Sequence, residues 1–157
     1  MQKNLFTIDE IKSKLEYYCA YQDRCHKEVE KKLQEYRLIP EAREIILLHL
    51  MEHKFLDEER FAKNFARGKF RIKNWGKKRI IRELQQRDIS TYNIKQALKE
   101  INSNEYIETI FKIAEAKNNF IRETNNYNRK QKLYEYLYRK GFENELIVKT
   151  IHQILEI

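Results

Sequence analysis

An all-α chain made of three tandem three-helix repeats is what this sequence predicts, and three observations predict it. Apolar residues recur at three- and four-residue spacing almost throughout, which lines up one face of a helix. The 157 residues include three glycines and one proline, too few for the many tight turns of a sandwich or barrel. An apolar pattern also returns twice at intervals of about 50 residues, the mark of stacked helical units.

The first unit opens at Thr7. Thr7 with Glu10 fits a capping box, in which each side chain serves the other residue's backbone N–H. Ile8, Ile11, Leu15, Tyr18 and Cys19 then make one apolar face, and Cys25, Val29, Leu33 and Tyr36 a second. Pro40 stands at the start of a third helix, where its missing N–H costs little. Ile46, Leu47 and Leu50 follow, and the stripe ends near His53.

The second unit repeats this layout. Asp57 is the expected N-cap of a helix beginning Glu58-Glu59, two acids well placed at its positive end. Phe61, Phe65, Ala62 and Ala66 are its inward residues. Gly76 precedes a helix with Ile80, Ile81 and Leu84, and Ser90 or Thr91 caps the next, with Ile94, Ala97, Leu98 and Ile101. The third unit starts near Ser103 with Tyr106, Ile107, Ile110, Phe111 and Ala114. It continues through Leu133 and Leu137 to Ile147, Ile151 and Ile154.

The units superimpose. Val29/Leu33/Leu38 matches Ile80/Leu84/Ile89 at an offset of 51 and Leu133/Leu137/Phe142 at a further 53. The pair Ile46/Leu47 falls on Ala97/Leu98 and then on Thr150/Ile151, where the threonine breaks the apolar match. The expected boundaries are 5–54, 55–102 and 103–157, stacked into an elongated, curved array. Each unit is short for a core of its own, so neighbours are expected to share buried surface.

Apolar residues make up 41% of the chain, enough for a core, which argues against disorder although 36% of residues are charged. The net charge is +8 and it is localised. Between Lys63 and Arg87 ten cations stand against one acid, Glu83, so this window alone carries the whole excess. Solvated helix faces usually mix signs; a one-sided stretch favours a docking surface for an anionic partner. Phe70 and Trp75 lie within it, suited either to stacking and anchoring or to ordinary packing.

Enzyme signatures are missing. No P-loop, GxGxxG, HExxH or CxxC motif occurs. His49 and His53 share a helix face, and Cys19, Cys25 and His26 lie nearby, but without the tight ligand pairs of structural zinc sites. Cys25 and His26 are adjacent on a helix and so point about 100° apart, wrong for a nucleophile–base dyad. No metal, cofactor or catalytic residue is expected. The polar start Met1–Glu10 carries no leader-like apolar stretch, and no run is long enough to span a membrane, so a cytoplasmic protein is expected. Two cysteines do not make a disulfide framework.

The residues also resemble a known family. Phe55-Leu56-Asp57-Glu58-Glu59-Arg60-Phe61-Ala62, then Gly76, Arg79-Ile80-Ile81-Arg82-Glu83-Leu84 and Arg87-Asp88-Ile89, resemble the central signature of RecX regulatory proteins. Arg24 with Glu28-Val29-Glu30-Lys31-Lys32-Leu33 is similar to the family's first-repeat pattern. Lys132-Leu133 through Arg139-Lys140-Gly141-Phe142 is similar to its third. The ordered set covers residues 20–157. Asp88 stands where the family usually has glycine, and Arg37-Leu38 where glycine is frequent.

The resemblance implies three helical repeats and function by binding. RecX proteins are non-enzymatic modulators that lodge in the groove of the RecA–single-stranded-DNA filament and generally curb its growth or strand exchange. It implies a RecA filament and single-stranded DNA as partners, no membrane, and a monomer. The contacts expected here are Arg67, Lys69, Arg71, Lys73, Lys77, Lys78 and Arg82, with Trp75 as an anchor; Lys27, Lys31 and Arg139 rank behind them. Asp57, Arg60, Phe61 and Leu84 carry the motif but read as cap, pairing and core. A free-standing basic nucleic-acid-binding protein is the alternative.

Overall fold

The computed structural model describes residues 5–157. Met1–Asn4, part of the polar start read above, lie outside the described residues. Nine α-helices and no strand occur among those residues: α1 (Ile8–Tyr21), α2 (His26–Leu33), α3 (Pro40–Glu52), α4 (Glu58–Lys73), α5 (Lys77–Gln86), α6 (Thr91–Leu98), α7 (Ser103–Phe120), α8 (Asn126–Lys140) and α9 (Asn144–Leu155). A 3-10 turn, Gln34–Tyr36, extends α2.

Capping chemistry sets the boundaries. The side chains of Thr7, Asp57, Ser90, Asn102 and Asn125 each accept from a backbone N–H in the first turn of α1, α4, α6, α7 and α8. The Thr7 box is one-sided: its hydroxyl accepts from the Glu10 N–H and donates to the Glu10 carboxylate, each at 3.1 Å. Pro40 is the first residue of α3.

The repeat is visible in the backbone. The turn after the second helix of each triplet contains a left-handed residue, and these are Arg37, Asp88 and Gly141, with φ of 51°, 58° and 99°. They are separated by the same 51 and 53 residues as the apolar trios. Asp88 is thus left-handed where Gly141 is in the third triplet, and aspartate tolerates that conformation better than most residues.

The helices bury two cores rather than three. Ile11, Leu15, Cys19, Val29, Leu33, Ile46, Leu50 and Leu56 form one around α1–α3. The other runs without a break through α4–α9, from Phe61 and Ile80 to Leu137, Phe142 and Ile151. Burying each such side chain is worth about 1.5–3 kcal/mol, so the shared core ties the second triplet to the third. Cys25 is read from the sequence as part of the first unit's second face, with Val29 and Leu33, yet it is buried in the core of α4–α9. Within the units, α1 packs on α3, α4 on α6, and α9 on both α7 and α8.

Two readings of α7 need correction. Ile107 and Phe111 are 51% and 36% exposed, and Ile113, which the stripe omitted, is buried with Tyr106, Ile110 and Ala114. The buried Thr150 hydroxyl donates to the Leu146 carbonyl at 2.7 Å, which is how a polar group occupies an apolar register position.

Candidate functional site

Helices α4 and α5 carry the cationic window, and their buried residues decide where each charge points. Phe61, Ala62, Ala66 and Phe70 face the core from α4, and Ile80 and Leu84 from α5. α4 stops at Asn74, left-handed at φ 56°. The Trp75 N–H donates back to the Lys69 carbonyl at 3.2 Å, and Gly76 begins α5.

The seven expected contacts divide into three kinds. Arg71, Lys73, Lys78 and Arg82 are exposed, and none of them is in an ion pair among the described residues. Lys78 and Arg82 lie four apart and so share one face of α5. Lys69 and Lys77 are half-buried over aromatic rings: Lys69 lies 5.1 Å from the Trp75 ring centre and 5.5 Å from that of Phe65, and Lys77 lies 4.8 Å from that of Tyr106. Arg67 is the third kind: its guanidinium pairs with Glu100 at 3.3 Å and donates to Asn64 at 3.1 Å. Lys63 and Arg87 are likewise paired, with Glu59 and Glu83.

Trp75 is half-buried and packed edge-on against Phe65, 6.2 Å between ring centres. Arg79 lies 4.2 Å from its ring centre. Cations and rings therefore alternate: Arg87, Phe65, Lys69, Trp75, Arg79. Such contacts contribute about 0.5–1 kcal/mol each at exposed sites and hold the charged heads in fixed positions.

The third triplet joins this face. The α5 N-terminus is docked end-on against the C-terminus of α8. Gly76 N–H donates to the Lys140 carbonyl at 2.7 Å, and Lys78 N–H to the Gly141 carbonyl at 2.9 Å. Lys77 N–H donates to the Tyr106 hydroxyl at 2.9 Å, which donates in turn to Glu143 at 2.6 Å. Burial, and then the bond to Glu143, pushes the Tyr106 phenol far above its ordinary value. Backbone donors at the start of α5 that have no partner within the helix are thus satisfied by the neighbouring triplet.

This docking delivers two cations absent from the expected contacts. Arg79 donates to the Arg139 carbonyl at 3.2 Å, and Lys140 Nζ to the Lys73 carbonyl at 3.1 Å. Neither is in an ion pair among the described residues. Burial, then the charges of Arg79 and Lys73, hold the Lys140 amine below its ordinary value. The charge window and the family-like motif both contain Arg79, and the third-repeat motif contains Lys140, but nothing local showed that Lys140 would meet Lys73, 67 residues away.

The lower-ranked candidates separate. Arg139 and Lys31 are exposed. Lys27 instead bridges the first and second triplets, donating to the Gln86 carbonyl at 2.7 Å with Asp88 at 3.7 Å. The His and Cys residues do not converge: among the described residues no three His, Cys, Asp or Glu side chains could hold one metal ion. His49 sits 3.3 Å from Glu16, and the Cys25 thiol faces Glu28 at 3.4 Å. No described helix is long and apolar enough to cross a membrane.

The chain is similar to known proteins in sequence and fold. Residues 57–98 match the model of the RecX second three-helix domain, and residues 104–151 that of the third. The regulatory protein RecX of Enterococcus faecalis is 30% identical over 149 residues, covering 89% of this chain and 56% of that protein. RecX of Prosthecochloris aestuarii is 28% identical over 138 residues, covering 88% and 89%. The chain spans about half the length of the first curated relatives it matches. The crystal structure of RecX from Lactobacillus salivarius superimposes with a TM-score of 0.84 at 23% identity, over 96% of this chain and 97% of that one. With two RecX domain models together spanning more than half its length, the chain belongs to the RecX family of regulatory proteins.

Proposed function

We propose that this chain is a non-enzymatic regulator that binds the RecA–single-stranded-DNA filament and restrains its growth, ATPase and strand exchange. The observation that carries this reading is the set of exposed cations without acid partners, Arg71, Lys73, Lys78 and Arg82, with Arg79 and Lys140 beside them at the junction of two triplets. A face of cations without acid partners suits a polyanionic or acidic partner. In this reading the units 5–54, 55–102 and 103–157 act as one rigid array, the chain works as a monomer in the cytoplasm, and Trp75 stiffens the cationic face.

Co-sedimentation with RecA–ssDNA filaments, against naked ssDNA, at two salt concentrations tests it. Retention on the filament with a slowed RecA ATPase supports the reading. Binding to naked ssDNA alone, with a log–log salt slope of roughly 0.7 per neutralised phosphate, would replace it with free-standing nucleic-acid binding. The same unpaired cations favour that second reading.

A further inference from the structure

We infer that Lys73, Arg79 and Lys140 form a seat for one phosphate group, supplied by a single-stranded nucleic-acid backbone or by a free phosphate ester. The inference rests on the reading of this face as anion-binding and narrows it to a ligand chemistry and three side chains.

Two cations, Arg79 from the second triplet and Lys140 from the third, are held by backbone acceptors rather than acids, and the acceptor for Lys140 belongs to Lys73, a third cation without an ion pair among the described residues. Lys140 reaches the Lys73 carbonyl at 3.1 Å, and Arg79 reaches the Arg139 carbonyl at 3.2 Å, so the amine and the guanidinium flank the end of α8. Three other cations of this region do have a carboxylate: Lys63 has Glu59, Arg67 has Glu100, Arg87 has Glu83. The charges of Arg79 and Lys73 act unfavourably on the Lys140 ammonium, and a bound anion would relieve that repulsion.

The seat is also rigid. The Arg79 guanidinium lies 4.2 Å from the Trp75 ring centre, and its buried Nε has no hydrogen-bond partner. A guanidinium placed by stacking rather than by a carboxylate keeps N–H groups available for an oxyanion. Lys140 lies 5.8 Å from the Tyr136 ring centre. Below, Gly76 and Gly141 bring the two helix ends into backbone contact, which fixes the backbone positions that carry Arg79 and Lys140. A tetrahedral phosphate, whether diester or monoester, sends its unesterified oxygens in diverging directions and meets cations from two helix ends better than a planar carboxylate does.

Trp75 is the only tryptophan, so its fluorescence reports on the seat directly. The full chain is titrated with pyrophosphate and, separately, with a short oligothymidylate. Thermal unfolding is followed in parallel, against sodium chloride of equal ionic strength. Pyrophosphate is expected to change Trp75 emission and raise Tm. Lys140→Met and Lys73→Gln should each weaken that binding about tenfold, the weight of one charge-assisted contact. Lys130→Gln, at the other end of α8, should match wild type. Parallel loss of oligothymidylate binding assigns the phosphate to a nucleic-acid backbone; loss of pyrophosphate binding alone assigns it to a free ester; both outcomes support the seat. A wild-type chain that does not respond to pyrophosphate, or Lys140→Met and Lys73→Gln variants that bind as Lys130→Gln does, overturns it. Filament binding that survives such a result leaves the proposed function standing without the seat.

Discussion

Gly76 and Gly141 meet backbone to backbone: a Cβ placed on Gly76 would lie 2.3 Å from the carbonyl carbon of Gly141, and one on Gly141 would lie 2.3 Å from the Arg79 Cβ. Two glycines 65 residues apart thus permit the docking of α5 on α8. Through it the Gly76 and Lys78 N–H groups find their acceptors.

Gly76→Ala should therefore cost about 3 kcal/mol, because the obstruction is backbone and cannot rotate aside. Gly141→Ala adds a strained left-handed residue at φ 99° and should cost more. Gly68 is the internal control. It lies inside α4 with open space around its missing side chain. Gly68→Ala should stabilise by about 0.5–1 kcal/mol through helix propensity. Urea unfolding of the three variants checks the ordering, and equal effects at all three positions would reject the docking argument.

The Tyr106 hydroxyl links the same junction, accepting from Lys77 N–H and donating to Glu143. Tyr106→Phe keeps the ring and removes both bonds, leaving a buried backbone donor without a partner. The expected loss is about 1–3 kcal/mol. Hydrogen exchange at the Lys77 amide should accelerate in the variant. An unchanged rate would mean that the hydroxyl does not hold the helix end.

Charge reversal separates binding from folding. Lys78→Glu with Arg82→Glu changes two exposed side chains on one face of α5 that make no ion pair among the described residues. Helical circular dichroism and Tm should stay as in wild type. Affinity for the filament should fall at least about tenfold, and the salt slope for single-stranded DNA by about 1.4, at 0.7 for each lost phosphate contact. Undiminished affinity would reduce the face to solvated surface.

The Cys19 thiol is pushed up to about 11 from its ordinary 9.0, chiefly by burial in the first core, against the pull of Arg24 and Arg60. The folded chain holds this proton more tightly than the unfolded one. Its contribution to stability is complete below pH 9 and is lost as the pH rises toward 11. Stability measured from pH 8 to 11 should fall more steeply in wild type than in Cys19→Ala. Parallel curves would contradict the buried thiol. At pH 8 the same thiol should react slowly with a disulfide reagent.

Short-range features of this fold were readable from the residues, and long-range ones were not. Asp57, Pro40 and Ser90 act locally, so their capping roles follow from sequence alone. The trios at offsets 51 and 53 are buried from Val29 to Phe142, except for Leu38, which is partly buried against the first core. Ile107 and Phe111 were misplaced because α7 buries a narrower stripe, through Ile110 and Ile113, than their hydrophobicity suggests. Pairing over distance was invisible: Arg67 looked unopposed until α6 brought Glu100 beside it, and Lys27 until Gln86 and Asp88 arrived from the next triplet. Lys140 joins Lys73 only because two glycines let the helix ends touch.

The three left-handed turn residues offer a graded test of the repeat. Arg37, Asp88 and Gly141 occupy equivalent turns, but only the glycine does so without penalty. Arginine has no local bond that favours this conformation, so Arg37→Gly should gain about 1 kcal/mol, the lower end of the left-handed cost. Aspartate tolerates the region, and Asp88 also faces Lys27 at 3.7 Å across an exposed pair. Asp88→Gly removes a small strain together with a pair worth under about 1 kcal/mol, and should come out near zero. Denaturant midpoints for the two variants decide the matter. A gain at Arg37 with none at Asp88 follows from equivalent backbones carrying unequal side chains, whereas a loss at Arg37 would show that its turn is held by something other than the left-handed residue.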